Sequence, residues 1–476
     1  MKKTIILISV FLIIQAIEIA QLDKDEVDVT KLNALFGTNY QGKIYSGYLS
    51  AKDDGKVQFH YLFYPSIDSA IEKPLILWLL GGPGCSSMIA AFTESGPFTF
   101  IEESIEFEEN PHTWTTFANM LYIESPISVG YSYGPDGTQS DESTAEYNLN
   151  ALIDFFVKFP NFKNQKFYIG GESYAGIYVP TLIQEIINYN EQPINPEVLR
   201  INIQGMIIGN GCTDPSECTQ LGYLFPRHRL DFYGRHGFIS EETYKKIIDN
   251  TEKCSFSDKQ ECQALAYEAL VQIAGPKYDF LINQYNVYGK CITNTSEGSK
   301  RMQSPLRVSD EERNDSDVPP CVDVKGLYHW FQMKEVRELL NIRDESPKWV
   351  ACSLNFKNYQ INPNGSLYIY PTILKNNIRV LILSGDVDGV VPIAGTLYWI
   401  DKLQQQLQLN TIKKWRPWYI PGIVTRQVDK DQNAGNVFDI EGLTFVSFRN
   451  AGHEVPAEKR MESKIVLEKF LRQEYL

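Results

Sequence analysis

Histidine is scarce in this chain, with six in 476 residues, and no Cys-x-x-Cys pair occurs among its eight cysteines. Those two absences exclude a zinc finger or ribbon, which needs closely spaced thiolates and imidazoles. No metal and no cofactor is expected. Basic charge is also in deficit: 45 Lys and Arg face 59 Asp and Glu, a formal charge of −14. Without a basic field to collect phosphates, nucleic acid is excluded as a partner. No long apolar run follows the first 20 residues, so no membrane span is expected after signal cleavage. Internal repeats and low-complexity linkers are missing too.

What is present reads as a secreted globular protein. The hydrophobic share is 43%, enough for a large core and too much for a disordered chain. Lys2 and Lys3 precede an apolar run from Ile5 to Ile14, with small residues at Ala16 and Ala20. This is the pattern of a secretory signal peptide over residues 1–20, with one domain expected over 21–476. An even cysteine count in that compartment reads as disulfides. Asn294, Asn314 and Asn364 each head an N-x-[ST] sequon and are expected glycan sites. The destination is the secretory pathway, with lysosome or vacuole and the extracellular space both open.

Strand and helix signals alternate along the chain. Ile44–Leu49 and Val57–Tyr64 suggest an opening antiparallel hairpin after a polar surface lead-in over Gln21–Asn39. Pro74–Leu80 is continuously apolar, as expected of a strand buried on both faces. Further strands are expected at Met120–Glu124, Phe167–Ile169, Ile203–Ile208, Arg379–Leu383 and Leu443–Phe448, with a helix at Thr144–Phe159. The alternation implies an α/β fold with a mostly parallel sheet. From Cys212 to about Arg343 the chain is polar and helix-forming and holds six of the eight cysteines. It reads as a disulfide-stapled insertion.

The chain is organised around Phe167–Pro180, where an apolar strand enters Gly170-Gly171-Glu172-Ser173-Tyr174-Ala175-Gly176 and leaves as an apolar helix over Ile177–Ile187. Strand, Gly-x-Ser-x-[Gly/Ala], helix is the context of a nucleophile elbow, a turn so tight that small residues must flank the serine. A glycine-rich turn alone would look the same; later segments distinguish the two. Arg379–Leu383 runs into Ser384-Gly385-Asp386-Val387-Asp388, and Leu443–Phe448 runs into Ala451-Gly452-His453-Glu454-Val455-Pro456. Serine, aspartate, histidine is the chain order of α/β hydrolases. A serine hydroxyl is a weak nucleophile until an imidazole takes its proton and a carboxylate steadies the imidazolium. Either aspartate could orient His453. Asp388 is preferred because it stands a few residues before Pro392, and Asp386 is then a turn residue. His60 reads as structural, and His228 and His236, close to Arg227, Arg229 and Arg235, as solvated surface.

These segments closely resemble the serine carboxypeptidase family. The resemblance runs through Tyr45–Leu49, Trp78–Ser87 (WLLGGPGCSS), Glu94–Pro97, Asn110-Pro111 with Trp114, and Glu124–Tyr133 (ESPISVGYSY). It continues through Gly171–Gly176, Ile208–Gly211, Ser384–Pro392 and Ala451–Pro456. It implies an α/β-hydrolase fold with the insertion over the active site. It implies Ser173 as nucleophile, His453 as base and Asp388 as its orienter, with backbone N–H groups of Gly82 and Tyr174 at the oxyanion. Glu94 and Glu172 fall on the family's two glutamates that bind a substrate's C-terminal carboxylate. Two carboxyls sharing a site cannot both ionise cheaply, so one keeps its proton, which implies activity at acidic pH. Leu80 departs from the family's asparagine at that site and removes one contact. Cys85 is expected to pair with Cys352, and the insertion suggests Cys212–Cys218, Cys254–Cys262 and Cys291–Cys321. The resemblance implies hydrolysis of C-terminal residues from peptides and proteins through an acyl-enzyme; whether the chain forms a homodimer stays open. Acyl transfer to an acceptor other than water, as in some plant members, or ester hydrolysis is an alternative. A non-catalytic protective or binding role is another.

Overall fold

The alternating Tyr, Phe and Leu near the start form the hairpin β1 (Tyr45–Ser50) and β2 (Gln58–Tyr64), with Tyr45 opposite Phe63 and Ser50 opposite Gln58. The computed structural model describes residues 24–476 except 53, 102–103, 136, 193–198, 215–226, 255–259, 275–281, 292–320, 354–358 and 421–431. The expected signal peptide, Asn294, Asn314 and Cys218 lie outside the described residues, as do the side chains of Cys254 and Cys262.

The other strands are β3 (Leu75–Leu79), β4 (Phe98–Phe100), β5 (Phe107–Glu109), β6 (Asn119–Ile123), β7 (Phe167–Glu172) and β8 (Ile203–Gly209). They continue with β9 (Arg379–Gly385), β10 (Thr411–Ile420), β11 (Gln432–Ile440) and β12 (Leu443–Phe448). Ten join one sheet in the order β1-β2-β6-β3-β7-β8-β9-β12-β11-β10, and β4 and β5 form a separate pair. The centre, from β6 to β12, is parallel, and both flanks are antiparallel.

Continuous apolar strands are what a sheet covered on both faces requires. In β3, Ile76 and Trp78 enter one apolar cluster, while Leu75, Leu77 and Leu79 enter the cluster on the opposite face. Each large side chain so buried contributes roughly 1.5–3 kcal/mol. The helices Asp141–Lys158 and Ala175–Asn190 cover that second face, the former started by a capping box between Ser140 and Ser143.

Three regions differ from expectation. The polar lead-in contains a helix, Val29–Phe36, capped by Asp28 and ended by Gly37 at φ 72°. Its Leu32 and Phe36, one turn apart, are buried, and Phe36 stacks on Phe107 at 3.9 Å. Within the insertion, helices Arg227–Arg235, Glu241–Cys254 and Gln260–Ala274 carry a small apolar cluster of their own, joined to the body through Val387. The stretch Val322–Leu340, by contrast, packs into the main core. Finally, His228 and His236 are half-buried rather than solvated. His228 lies against the Tyr398 ring at 5.2 Å, and His236 Nδ1 sits 2.8 Å from the Phe232 carbonyl.

The bonds Cys85–Cys352 and Cys291–Cys321 are present. Cys212 is disulfide-bonded as well. Asn364 lies exposed in a turn. Among the described residues no helix is long and apolar enough to cross a membrane.

Candidate active site

Loops leaving the C-terminal ends of β3, β7, β8, β9 and β12 converge at one place, the edge where parallel sheets of this kind carry ligands. At the end of β7, Ser173 adopts φ 62°, a left-handed conformation that a non-glycine residue holds only when its surroundings enforce it. Its N–H donates to the Gly209 carbonyl at 3.0 Å, and its carbonyl accepts from Cys212 N and Gly176 N, both at 2.9 Å. The helix Ala175–Asn190 begins at once behind it, with Tyr174 as N-cap. At its glycine positions the turn tolerates no side chain. A Cβ on Gly171 would come within 2.3 Å of the Leu79 carbonyl oxygen, and one on Gly176 within 2.4 Å of the Cys212 carbonyl oxygen. A Cβ on Gly81 would reach 2.3 Å from the Tyr174 amide nitrogen, so the glycine loop after β3 runs directly against the residue following Ser173. Gly82 follows at φ 112°, and Cys85–Cys352 ties the loop to the segment around Trp349.

Asp388 and His453 meet at the C-terminal edge of the sheet. His453 Nδ1 lies 2.7 Å from Asp388 Oδ2, and their side chains are 3% and 0% exposed. Asp388 Oδ1 accepts from Val390 N at 2.7 Å and Val391 N at 3.2 Å, which fixes the carboxylate in its turn. Asn210 Nδ2 donates to Asp388 Oδ2 at 2.7 Å. Asp386 instead accepts from Asn450 N at 2.6 Å and braces the histidine loop from the side. Burial pushes the imidazole pKa down, but the Asp388 carboxylate and its hydrogen bond outweigh that, and the net shift is upward. His453 Nε2 is buried with no hydrogen-bond partner, which leaves it for a reacting group.

Glu94 and Glu172 are each 1% exposed. Both Glu94 carboxyl oxygens and Oε2 of Glu172 lack a hydrogen-bond partner. Burial pushes both pKa values well up, and the Glu94 charge raises Glu172 further. The turn bearing Glu94 is pinned by Asn110, whose Nδ2 donates to the Glu94 and Gly96 carbonyls, both at 3.0 Å. Leu80 packs into the main apolar cluster, and its N–H donates to Ser87 Oγ at 3.2 Å.

Several residues here were not singled out from the sequence. Glu454, half-buried beside His453, is raised to about 7 by burial and by Glu458. The Tyr285 ring meets the His453 ring edge-on at 5.1 Å. Asn210 had a weak signal in its glycine-flanked loop after β8; Tyr285, inside the insertion, had none. Another serine–histidine–carboxylate arrangement, Ser46, His60 and Glu124, has both contacts at 2.9 Å but is 0% exposed throughout. No substrate reaches it. Among the described residues no group of three or more His, Cys, Asp or Glu could hold a metal ion.

The sheet, the elbow and the buried aspartate–histidine pair define an α/β hydrolase. The chain belongs to the serine carboxypeptidase family, whose model matches residues 36–473. Serine carboxypeptidase-like 25 of Arabidopsis thaliana is 33% identical over 94% of this chain and 92% of its own. The lysosomal protective protein of Mus musculus is 30% identical over 95% and 94%. Among solved structures, Kex1Δp, a prohormone-processing carboxypeptidase from Saccharomyces cerevisiae, shares the fold with a TM-score of 0.71 at 21% identity. That match covers 91% of this chain and 92% of that one.

Proposed function

We propose that the chain removes C-terminal residues from peptides and proteins at acidic pH through an acyl-enzyme. Ser173 Oγ attacks the scissile carbonyl carbon while His453 Nε2 takes its proton, with Asp388 steadying the imidazolium. The backbone N–H groups of Gly82 and Tyr174 receive the oxyanion, a reading supported by the close approach of the neighbouring Gly81 to the Tyr174 amide nitrogen. The C–N bond breaks, His453 returns the proton to the leaving amine, and water repeats the sequence on the ester. Glu94 and Glu172 share a proton and donate it to the substrate's terminal carboxylate. The observation carrying the exopeptidase reading is this pair, buried beside the elbow with both Glu94 oxygens and Oε2 of Glu172 unpartnered. A secretory destination, lysosomal, vacuolar or extracellular, belongs to this reading, and the name of one relative, lysosomal protective protein, supports the first of these.

A second reading, acyl transfer or ester hydrolysis, is favoured by Leu80, which cannot donate to a terminal carboxylate. Blocked dipeptides, their C-terminal amides and their esters, assayed from about pH 4 to 8, separate the two. Free-acid dipeptides cleaved best at the acidic end, with amides much slower, support the exopeptidase. Esters cleaved near neutrality with free-acid peptides ignored sink it. A wild-type chain that does not take up a fluorophosphonate at Ser173 overturns both readings.

A further inference from the structure

The loops carrying Asp388 and His453 contain two glycines, Gly389 and Gly452, that the turn geometry alone does not require. Neither has a positive φ. What they admit is the insertion. A Cβ on Gly452 would stand 2.1 Å from the Tyr285 carbonyl oxygen, and one on Gly389 would meet the Tyr233 hydroxyl at 2.5 Å and the Gln284 carbonyl oxygen at 3.1 Å. Through these gaps the insertion bonds to both loops by backbone. His453 N donates to the Tyr285 carbonyl at 2.6 Å, Gly389 N to the Gln284 carbonyl at 3.0 Å, and Val287 N to the Val387 carbonyl at 3.2 Å. Side chains reinforce the contact. Arg229 Nε donates to the Gly389 carbonyl at 2.8 Å while its Nη2 donates to Gln284 Oε1. On the solvent rim, Glu458 Oε2 accepts from Gly452 N at 2.8 Å and from Asn286 Nδ2 at 2.5 Å.

We propose that Gln284–Val287 is a positioning clamp: it holds the acid and histidine loops in register, so that the insertion sets the rate of the chemical step and not only substrate access. The proposal rests on the reading of Ser173, His453 and Asp388 given above. The clamp is itself anchored. Cys291, four residues beyond Val287, is bonded to Cys321, and the adjoining Val322 and Val324 are buried in the main core. A segment tied at that point to the body and to both loops is a brace. A hinged cover would contact the substrate side and leave the loop backbones free. The relevant tolerance is narrow, because a displacement of about 1 Å at a reacting pair can cost on the order of 100-fold in rate.

The test uses the full chain and a small neutral ester, p-nitrophenyl acetate, whose entry needs little from a lid. Gly452→Ala pushes the Tyr285 carbonyl away, and Arg229→Ala removes the side chain bridging Gly389 to Gln284. Each is expected to lower kcat roughly 10-fold with KM unchanged within about twofold. Arg229→Lys, which keeps one donor, should recover part of the loss. The low-field proton resonance of the His453–Asp388 hydrogen bond should shift or broaden in both alanine variants. Should Gly452→Ala fail to fold, Arg229→Ala and its lysine rescue carry the test. Folded variants with kcat and resonance unchanged overturn the clamp, and so does a rise in peptide KM alone, which would make the insertion a simple cover. If the wild-type chain neither cleaves the ester nor takes up a fluorophosphonate, the reading of Ser173 fails instead. The resonance then decides the clamp by itself.

Discussion

Two aspartates stand two positions apart after β9, and their surroundings give them different work. Asp388 sits under a closed ring of donors, two amides and Asn210, and presents its remaining edge to His453. Asp386 faces the opposite loop and accepts from Asn450 N. The same logic applies to Leu80, a hydrocarbon at the position where the family resemblance implies an asparagine donor. Leu80→Asn is expected to lower KM for free-acid dipeptides by roughly 10- to 100-fold, the worth of one hydrogen bond to a charged group, while ester kinetics stay put. Steady-state assays on matched acid and ester substrates check this. A fall in melting temperature with KM unmoved would mean that the amide is buried among apolar side chains and never meets the substrate. At this scale the sequence was readable where chemistry leaves local marks. Ser173 and His453 sit in glycine-rich loops directly behind apolar strands. Asn286 and Tyr285 were not readable, because only the folding of the insertion back onto β9 and β12 gives them neighbours.

The elements that build the site do so by exclusion of bulk. The glycine loop after β3 and the elbow after β7 approach so closely that Gly81 faces the Tyr174 amide nitrogen at 2.3 Å and the Glu172 carbonyl oxygen at 2.7 Å from its would-be Cβ. Both are backbone atoms flanking Ser173, so neither yields as a flexible side chain would. Gly81→Ala is therefore expected to slow fluorophosphonate labelling of Ser173 by roughly 100-fold with the circular dichroism spectrum retained. Labelling at the wild-type rate would show that the two loops move independently. The parallel strands were legible as elements because burial on both faces demands unbroken apolar runs, as in Leu75–Leu79 and Val380–Leu383. β10 and β11 were not. β10 is the sheet's outer edge, and it carries Lys413, Lys414, Arg416 and Pro417, residues that discourage pairing with another chain and also hide a strand from pattern reading. The helix Val29–Phe36 did carry readable signals, an Asp cap, an i, i+4 apolar pair and a terminal glycine, which its polar surroundings diluted.

For the molecule as a whole, the buried carboxyls make stability a function of pH with a definite sign. Glu94 and Glu172 have folded-state pKa values raised chiefly by burial, and half-buried Glu454 is raised to about 7. An unfolded glutamate titrates near about 4.3. A group raised on folding contributes stability that is full below its unfolded pKa and is lost as pH rises through its folded pKa. For Glu454 that window runs from about 4.3 to about 7. His453, also raised, acts in the same direction above its own unfolded value. Of the carboxylates shifted downward, Asp28, Asp54 and Glu441 lie on the open surface, where solvent screening leaves them little leverage. Each pKa unit is worth about 1.4 kcal/mol, and the glutamates titrate as a coupled set rather than one by one. The melting temperature is therefore expected to fall from pH 5 to pH 8, by several degrees, in calorimetry at fixed ionic strength. Glu172→Gln, which replaces a buried ionisable group by a neutral one of nearly the same shape, should flatten that slope while weakening selection of free-acid peptides over their amides. A flat profile in the wild-type chain would mean that both glutamates ionise in the folded state without cost, and the shared-proton account of carboxylate recognition would fall with it.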